Sequence, residues 1–385
     1  MNNLEDIYHN CLHIENSFPK KKILFIPSES YDVCTIGIIE GLHKLGFEIL
    51  VYKKNNINSW FCNKIIDNLD NIEESIDFVL SNLHWGTRWS LYKQLSHNVP
   101  YILIDGDDRI HGNNISDWKD KYNIYIHQYK MNPSEEIKNK EVSPYRWMEE
   151  IGDYKPDIVF MANKYKINQN CIYLPTCIFD NYINYLNNND NNDNNDNNEQ
   201  IYDIVHIPGP GEYRNNLKII INTYLKHYNI FNEKIYGENQ MDDKIIKYYN
   251  SDNNIHSWHR WNIGKDYCNT LKKAKINIVS PVDKYNAPGG VGIKRITEAL
   301  LSGSYILYHQ QPEVDDSNYS YEYICDYCKF EFENYNEMIE KCNYLLNNPN
   351  ILKEKQYNMY NKALKYFTSM SITRYFLYNI DKHFI

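Results

Sequence analysis

The stretch Ala287 to Asp316, APGGVGIKRITEALLSGSYILYHQQPEVDD, constrains the fold of this chain more than any other. A Pro-Gly-Gly-Val-Gly loop opens it, and such a loop brings bare backbone N–H groups close to a ligand. A helix is expected over 293–301, because Ile293, Ile296, Leu300 and Leu301 fall on one apolar stripe. Ser302-Gly303-Ser304 ends it as a glycine cap. Tyr305-Ile306-Leu307-Tyr308 then reads as a buried parallel strand, with a polar loop at its carboxyl end. A Gly-rich loop feeding a helix N-terminus is a ready anion site. Lys294 and Arg295 occupy a first turn that ordinarily favours acids, which points to a negative ligand. Glu298, one turn on, is placed to accept hydrogen bonds from a sugar or ribose diol. The alternative is a surface loop followed by an ordinary amphipathic helix.

The same grammar runs through the rest of the chain. Lys22 to Ile26 is a continuous apolar run of strand type, and Ser28 to Asp32 is the loop after it. Thr35 is expected to N-cap a helix carrying Ile36, Ile39, Leu42 and Leu45, with Gly46 as its stop. Glu48 to Tyr52 is a second strand, which completes a βαβ unit with a short crossover and makes the sheet parallel. Further strands are expected at 77–81, 100–104, 122–126, 156–160 and 171–175, with a helix over 85–95. The first βα loop lacks G-x-G-x-x-G, so no dinucleotide fingerprint is present. The second half restarts the pattern. A strand over 202–207 runs into Pro208-Gly209-Pro210-Gly211, and a helix with Leu217, Ile220, Ile221 and Leu225 inward follows Arg214. That Gly-containing loop, with an Arg at a helix start, again suits a phosphate. Strands over 233–237, 275–279 and 323–332 and helices over 265–274, 336–346 and 372–378 complete the series. The fold class is therefore α/β, with two Rossmann-like doubly wound parallel-sheet domains.

Asn187 to Asn198, NNNDNNDNNDNN, has no apolar residue and cannot bury surface to offset its ordering entropy. It divides the chain into an N-terminal domain over 1–186, a disordered Asn/Asp-rich insert over 187–200, and a second domain over 201–368, with a terminal helix over 369–385. The net charge of −9 argues against a general nucleic-acid binder. Heavy use of Asn, Lys, Ile and Tyr reads as an AT-rich coding genome, such as that of a large DNA virus, a protist or a low-GC bacterium. A lone Tyr or Asn therefore carries little functional information. The nine cysteines are scattered, and Cys325-Asp-Tyr-Cys328 is the single C-x-x-C. Without a second pair at metal spacing it reads as reduced and structural. No signal peptide is visible, and no run reaches the roughly 18 apolar residues of a membrane span. A soluble protein of the cytoplasm is expected, host cytoplasm if the gene is viral.

The run Gly292-Ile-Lys-Arg-Ile-Thr-Glu298-Ala-Leu-Leu-Ser-Gly303 resembles the nucleotide-binding segment of GT-B glycosyltransferases. It is most similar to the CgeB-type and group 1 (GT4-like) branches. The loop from Gly209 to Arg214 resembles the first phosphate loop of the same second domain. The resemblance covers about residues 200 to 380. It implies two domains facing a cleft, with the last helix crossing back to the first domain. It also implies transfer of a sugar from a nucleotide-diphosphate donor to an acceptor that is a glycan, protein or lipid. Gly209, Gly211, Arg214, Gly290, Gly292, Lys294, Arg295 and Glu298 would hold the donor, with cations and helix N-termini in place of a metal and no cofactor beyond the donor itself. One position departs: Gly290 stands where many retaining members carry a Glu, eight residues before Glu298. That departure favours a rival reading, a virion, spore or surface protein that keeps the fold but has lost turnover; a third reading is a nucleotide- or sugar-binding protein.

A catalytic base would come from the first domain, at the carboxyl edge of its sheet. Asp105, Asp107 and Asp108 follow the apolar strand 101–104 and are the expected group, with Asp32 as competitor. Like charges in that cluster would raise at least one pKa towards neutrality, while Arg109 opposes this. The aromatic stretch His256-Ser-Trp258-His259-Arg260-Trp261 reads as a packed loop, a base-stacking platform or half a metal site. His84, Trp85, Arg88 and Trp89 follow the strand end at Asn82 and stand on the same footing.

Overall fold

A computed structural model describes residues 3–27, 33–52, 62–82, 95, 98–105, 157–161, 171–175, 200–207, 212–232, 270–279, 294–309, 319, 323–328 and 335–384. The chain forms two units, one of residues 1–176 together with 369–385, the other of residues 177–368. The strands expected at 122–126 and 233–237, the helix over 85–95 (save Leu95) and the insert (save Gln200) lie outside the described residues.

In the first unit, helix α1 (Asn3–Asn10) precedes β1 (Lys22–Ile26), α2 (Val33–Lys44) and β2 (Glu48–Tyr52). Strands β3 (Lys64–Ile66), β4 (Phe78–Asn82), β5 (Tyr101–Asp105), β6 (Ile158–Met161) and β7 (Cys171–Tyr173) follow. They form one parallel sheet in the order β3-β2-β1-β4-β5-β6-β7. Both faces are buried, which is why the strands are continuous aliphatic runs and not alternating ones. Leu24, Ile26, Leu50, Val79, Tyr101, Leu103 and Val159 pack together on one side. Their neighbours one residue along, Phe78 and Phe160 among them, belong to the opposite face by strand alternation.

That second face is closed by the final helix, α7 (Ser369–Phe384), which the chain reaches only after completing the second unit. Phe376 stacks at 4.5 Å from Phe160 and 6.1 Å from Phe78. Arg374 is held by Glu15 through two N–H···O contacts of 3.3 and 3.4 Å. Helix α7 crosses α2 closely at Gly41, where an added Cβ would fall 2.7 Å from the Ser369 carbonyl oxygen and closer still to Thr373. Helix α2 itself starts two residues before Thr35, which is fully buried within the first turn. Thr35 is therefore a packed helical residue and not the N-cap that its sequence position implied. Gly46 does end the helix, at φ 87°, a conformation that a side chain would strain.

The second unit contains β8 (Tyr202–Val205), α3 (Glu212–Tyr224), β9 (Ile230–Phe231), β10 (Ala274–Val279), α4 (Lys294–Leu301), β11 (Tyr305–His309) and β12 (Asp326–Cys328). Helices α5 (Asn336–Asn347) and α6 (Pro349–Tyr366) complete it. Its parallel sheet runs β12-β11-β10-β8-β9. Ile296, Leu300 and Leu301 of α4 are fully buried, as their spacing required. Gly303 ends α4 at φ 82°. Among the described residues no helix is long and apolar enough to cross a membrane.

Candidate functional site

In an open parallel sheet, ligands bind off the carboxyl ends of the strands, where two neighbouring strands send their crossovers in opposite directions. In the second unit that point lies between β8 and β10. These two are hydrogen-bonded neighbours, with Ile276 opposite Ile204 and Asn277 opposite Val205. From β8 the chain passes to β9 on one side, and from β10 to β11 and β12 on the other.

Both segments singled out in the sequence leave the sheet here. The chain leaves β8 at Val205 and enters α3 at Glu212, so the segment holding Gly209 and Gly211 spans that gap. It leaves β10 at Val279 and enters α4 at Lys294, and the segment between holds Gly290 and Gly292. These four glycines lie outside the described residues. Arg214 is the third residue of α3, Lys294 and Arg295 are the first two of α4, and Glu298 follows one turn later. Their backbones are described; their side chains are not. Helix α4 carries no acid in its first turn, where its sequence has two cations, a composition opposite to what the helix dipole ordinarily favours.

The amino edge of the same sheet is different in kind. Asp203 takes Lys275 Nζ at 2.7 Å and the Asn229 N–H at 2.8 Å. Asp326 accepts from the Tyr305 hydroxyl and Lys355 Nζ, both at 2.6 Å. Burial pushes the Asp326 carboxyl up, but the hydrogen bonds from Lys355 and Tyr305 and the charges of Lys355 and Lys341 outweigh it. The carboxyl is held below its ordinary range. In the first unit, Asp77 likewise caps the Lys20 and Lys22 N–H groups, and Asp157 the Tyr101 N–H. All four acids tie strands to one another at their starts.

In the first unit the corresponding point lies between β1 and β4. It is bordered by the segment after Pro27, which contains Asp32, and by the segment after Asn82, which contains His84. Asp105 is the last residue of β5, opposite Met161 of β6, and so stands one strand away. Asp107, Asp108, Asp32, His84 and the 256–261 aromatics lie outside the described residues. Two buried polar residues at these strand ends escaped the sequence reading: Asn82, wholly buried at the end of β4, and His206, 2 % exposed just past β8. The signal for His206 was an imidazole inside the aliphatic run Ile204-Val205-His206-Ile207.

Among the described residues no cluster of His, Cys, Asp or Glu has the composition and proximity of a metal site. Burial pushes the Cys342 thiol up to about 12, and it does the same to Cys11 despite the nearby Arg374. Thiols so raised are inert packing groups.

No protein family matches this chain by sequence, and no curated protein does. Solved structures resemble it across most of its length. A glycosyltransferase from Rickettsia africae ESF-5 is 13% identical, covering 94% of this chain and 97% of that one, at a TM-score of 0.49. Anabaena HepE, in complex with UDP and glucose, is 9% identical over 94% and 99% of the two chains, at 0.49. A sucrose-phosphate synthase from Thermosynechococcus elongatus is 11% identical over 91% and 96%, at 0.47.

Proposed function

We propose that this protein is a glycosyltransferase that moves a sugar from a nucleotide-diphosphate donor to an acceptor hydroxyl. The observation that carries the reading is topological: β8 and β10, the neighbouring strands at which strand order reverses, are the two that lead into α3 and α4, and the sequence between each strand and its helix carries glycines. Arg214, Lys294 and Arg295 sit in the first turns of those helices, and Glu298 lies one turn further in. The sequence resemblance of 292–303 to a GT-B donor segment supports the same assignment.

In transfer, the bond between the sugar's anomeric carbon and the diphosphate oxygen breaks. A new bond forms to the acceptor oxygen, whose proton passes to a base. The barrier falls when the charge gathering on the leaving diphosphate is met by preorganised donors. Helix N-termini, Lys294 and Arg295 are suited to that task without a metal, and Glu298 to a ribose diol. For the base, the topology favours the segment holding Asp32 over Asp105, Asp107 and Asp108, because it borders the point of reversal in the first sheet. Gly290, in place of the family's first Glu, favours a second reading in which the protein binds a nucleotide sugar without turning it over. A thermal-shift and calorimetric series with UDP, GDP, ADP and dTDP sugars tests binding, and assay of donor hydrolysis or transfer separates the two readings. Absence of binding to every member would reject both.

A further inference from the structure

We draw no further inference here: the strongest candidate, the buried Asp381 Oδ1 in the last turn of α7, which meets no hydrogen-bond donor, carries nothing because no metal-ligating cluster surrounds it among the described residues and a single carboxylate oxygen does not name what it would bind.

Discussion

If the proposed donor site is right, its side chains should make separable contributions. Arg295→Ala should remove a charge-assisted phosphate contact worth roughly 1.5–3 kcal/mol. Glu298→Ala should weaken nucleotide binding more than pyrophosphate binding, because pyrophosphate has no ribose. Calorimetry in which both variants match the parent would show the site to be elsewhere. For the base, Asp→Asn at 32, 105, 107 and 108 should single out one position that loses transfer while keeping donor affinity, and the topology favours 32. Asp326 makes a different kind of contribution. Its folded carboxyl titrates below the ordinary value, so its stabilisation is complete above the unfolded range near 3.9 and fades as pH falls through the folded value. The carboxylate is more than a third exposed, so solvent screening keeps the effect within about 1 kcal/mol. Asp326→Asn should lower the melting temperature at pH 7, and the gap to the parent should close in acid. A gap that persists unchanged at pH 2 would mean the loss comes from packing and not from charge.

At the level of elements, legibility followed burial. The strands β1, β2, β4, β5, β10 and β11 announced themselves as aliphatic runs because both sheet faces are covered. Strand β3 did not, because Lys64-Ile65-Ile66 is an edge strand whose Ile65 is 44% exposed. Strand β9 is a two-residue pairing, too short for any pattern. Helix α6 was missed because its buried stripe includes Gln356 and Ala363. Gln356 earns burial through tertiary hydrogen bonds to the Lys275 carbonyl at 2.8 Å and Gln200 at 3.1 Å, which no helical periodicity reveals. The candidate donor segments were proposed from glycine, proline and cation placement, which are local chemistry. The burial of His206 was not legible, since it depends on which strands neighbour β8. The crossing of α2 and α7 makes a further expectation. Gly41→Ala should cost about 1–3 kcal/mol in denaturant unfolding, since the obstructing atoms include backbone that cannot rotate away. An unchanged midpoint would show that the helices separate at little cost.

For the whole molecule there are two expectations. If cations and helix starts neutralise the diphosphate, transfer should survive EDTA. Complete loss restored by Mg²⁺ or Mn²⁺ would assign a metal to the Asp105–Asp108 group. Excising Asn187 to Asn198 should leave melting temperature and nucleotide affinity nearly unchanged, because loop length enters stability only logarithmically. A marked fall in either would show that the tract is structured.

The return of α7 to the first unit has a consequence for biosynthesis. Phe78 and Phe160 emerge from the ribosome long before Phe376, their stacking partner, is translated. Domains ordinarily fold in the order they are made. Here the first unit must wait, with an aromatic face uncovered, while the entire second unit is synthesised. Ribosome-stalled chains ending at Thr368 should therefore carry a protease-sensitive first unit beside a protected second one, and protection of the first should appear only once α7 has cleared the exit tunnel. The unit that begins the chain would be the one that finishes folding last.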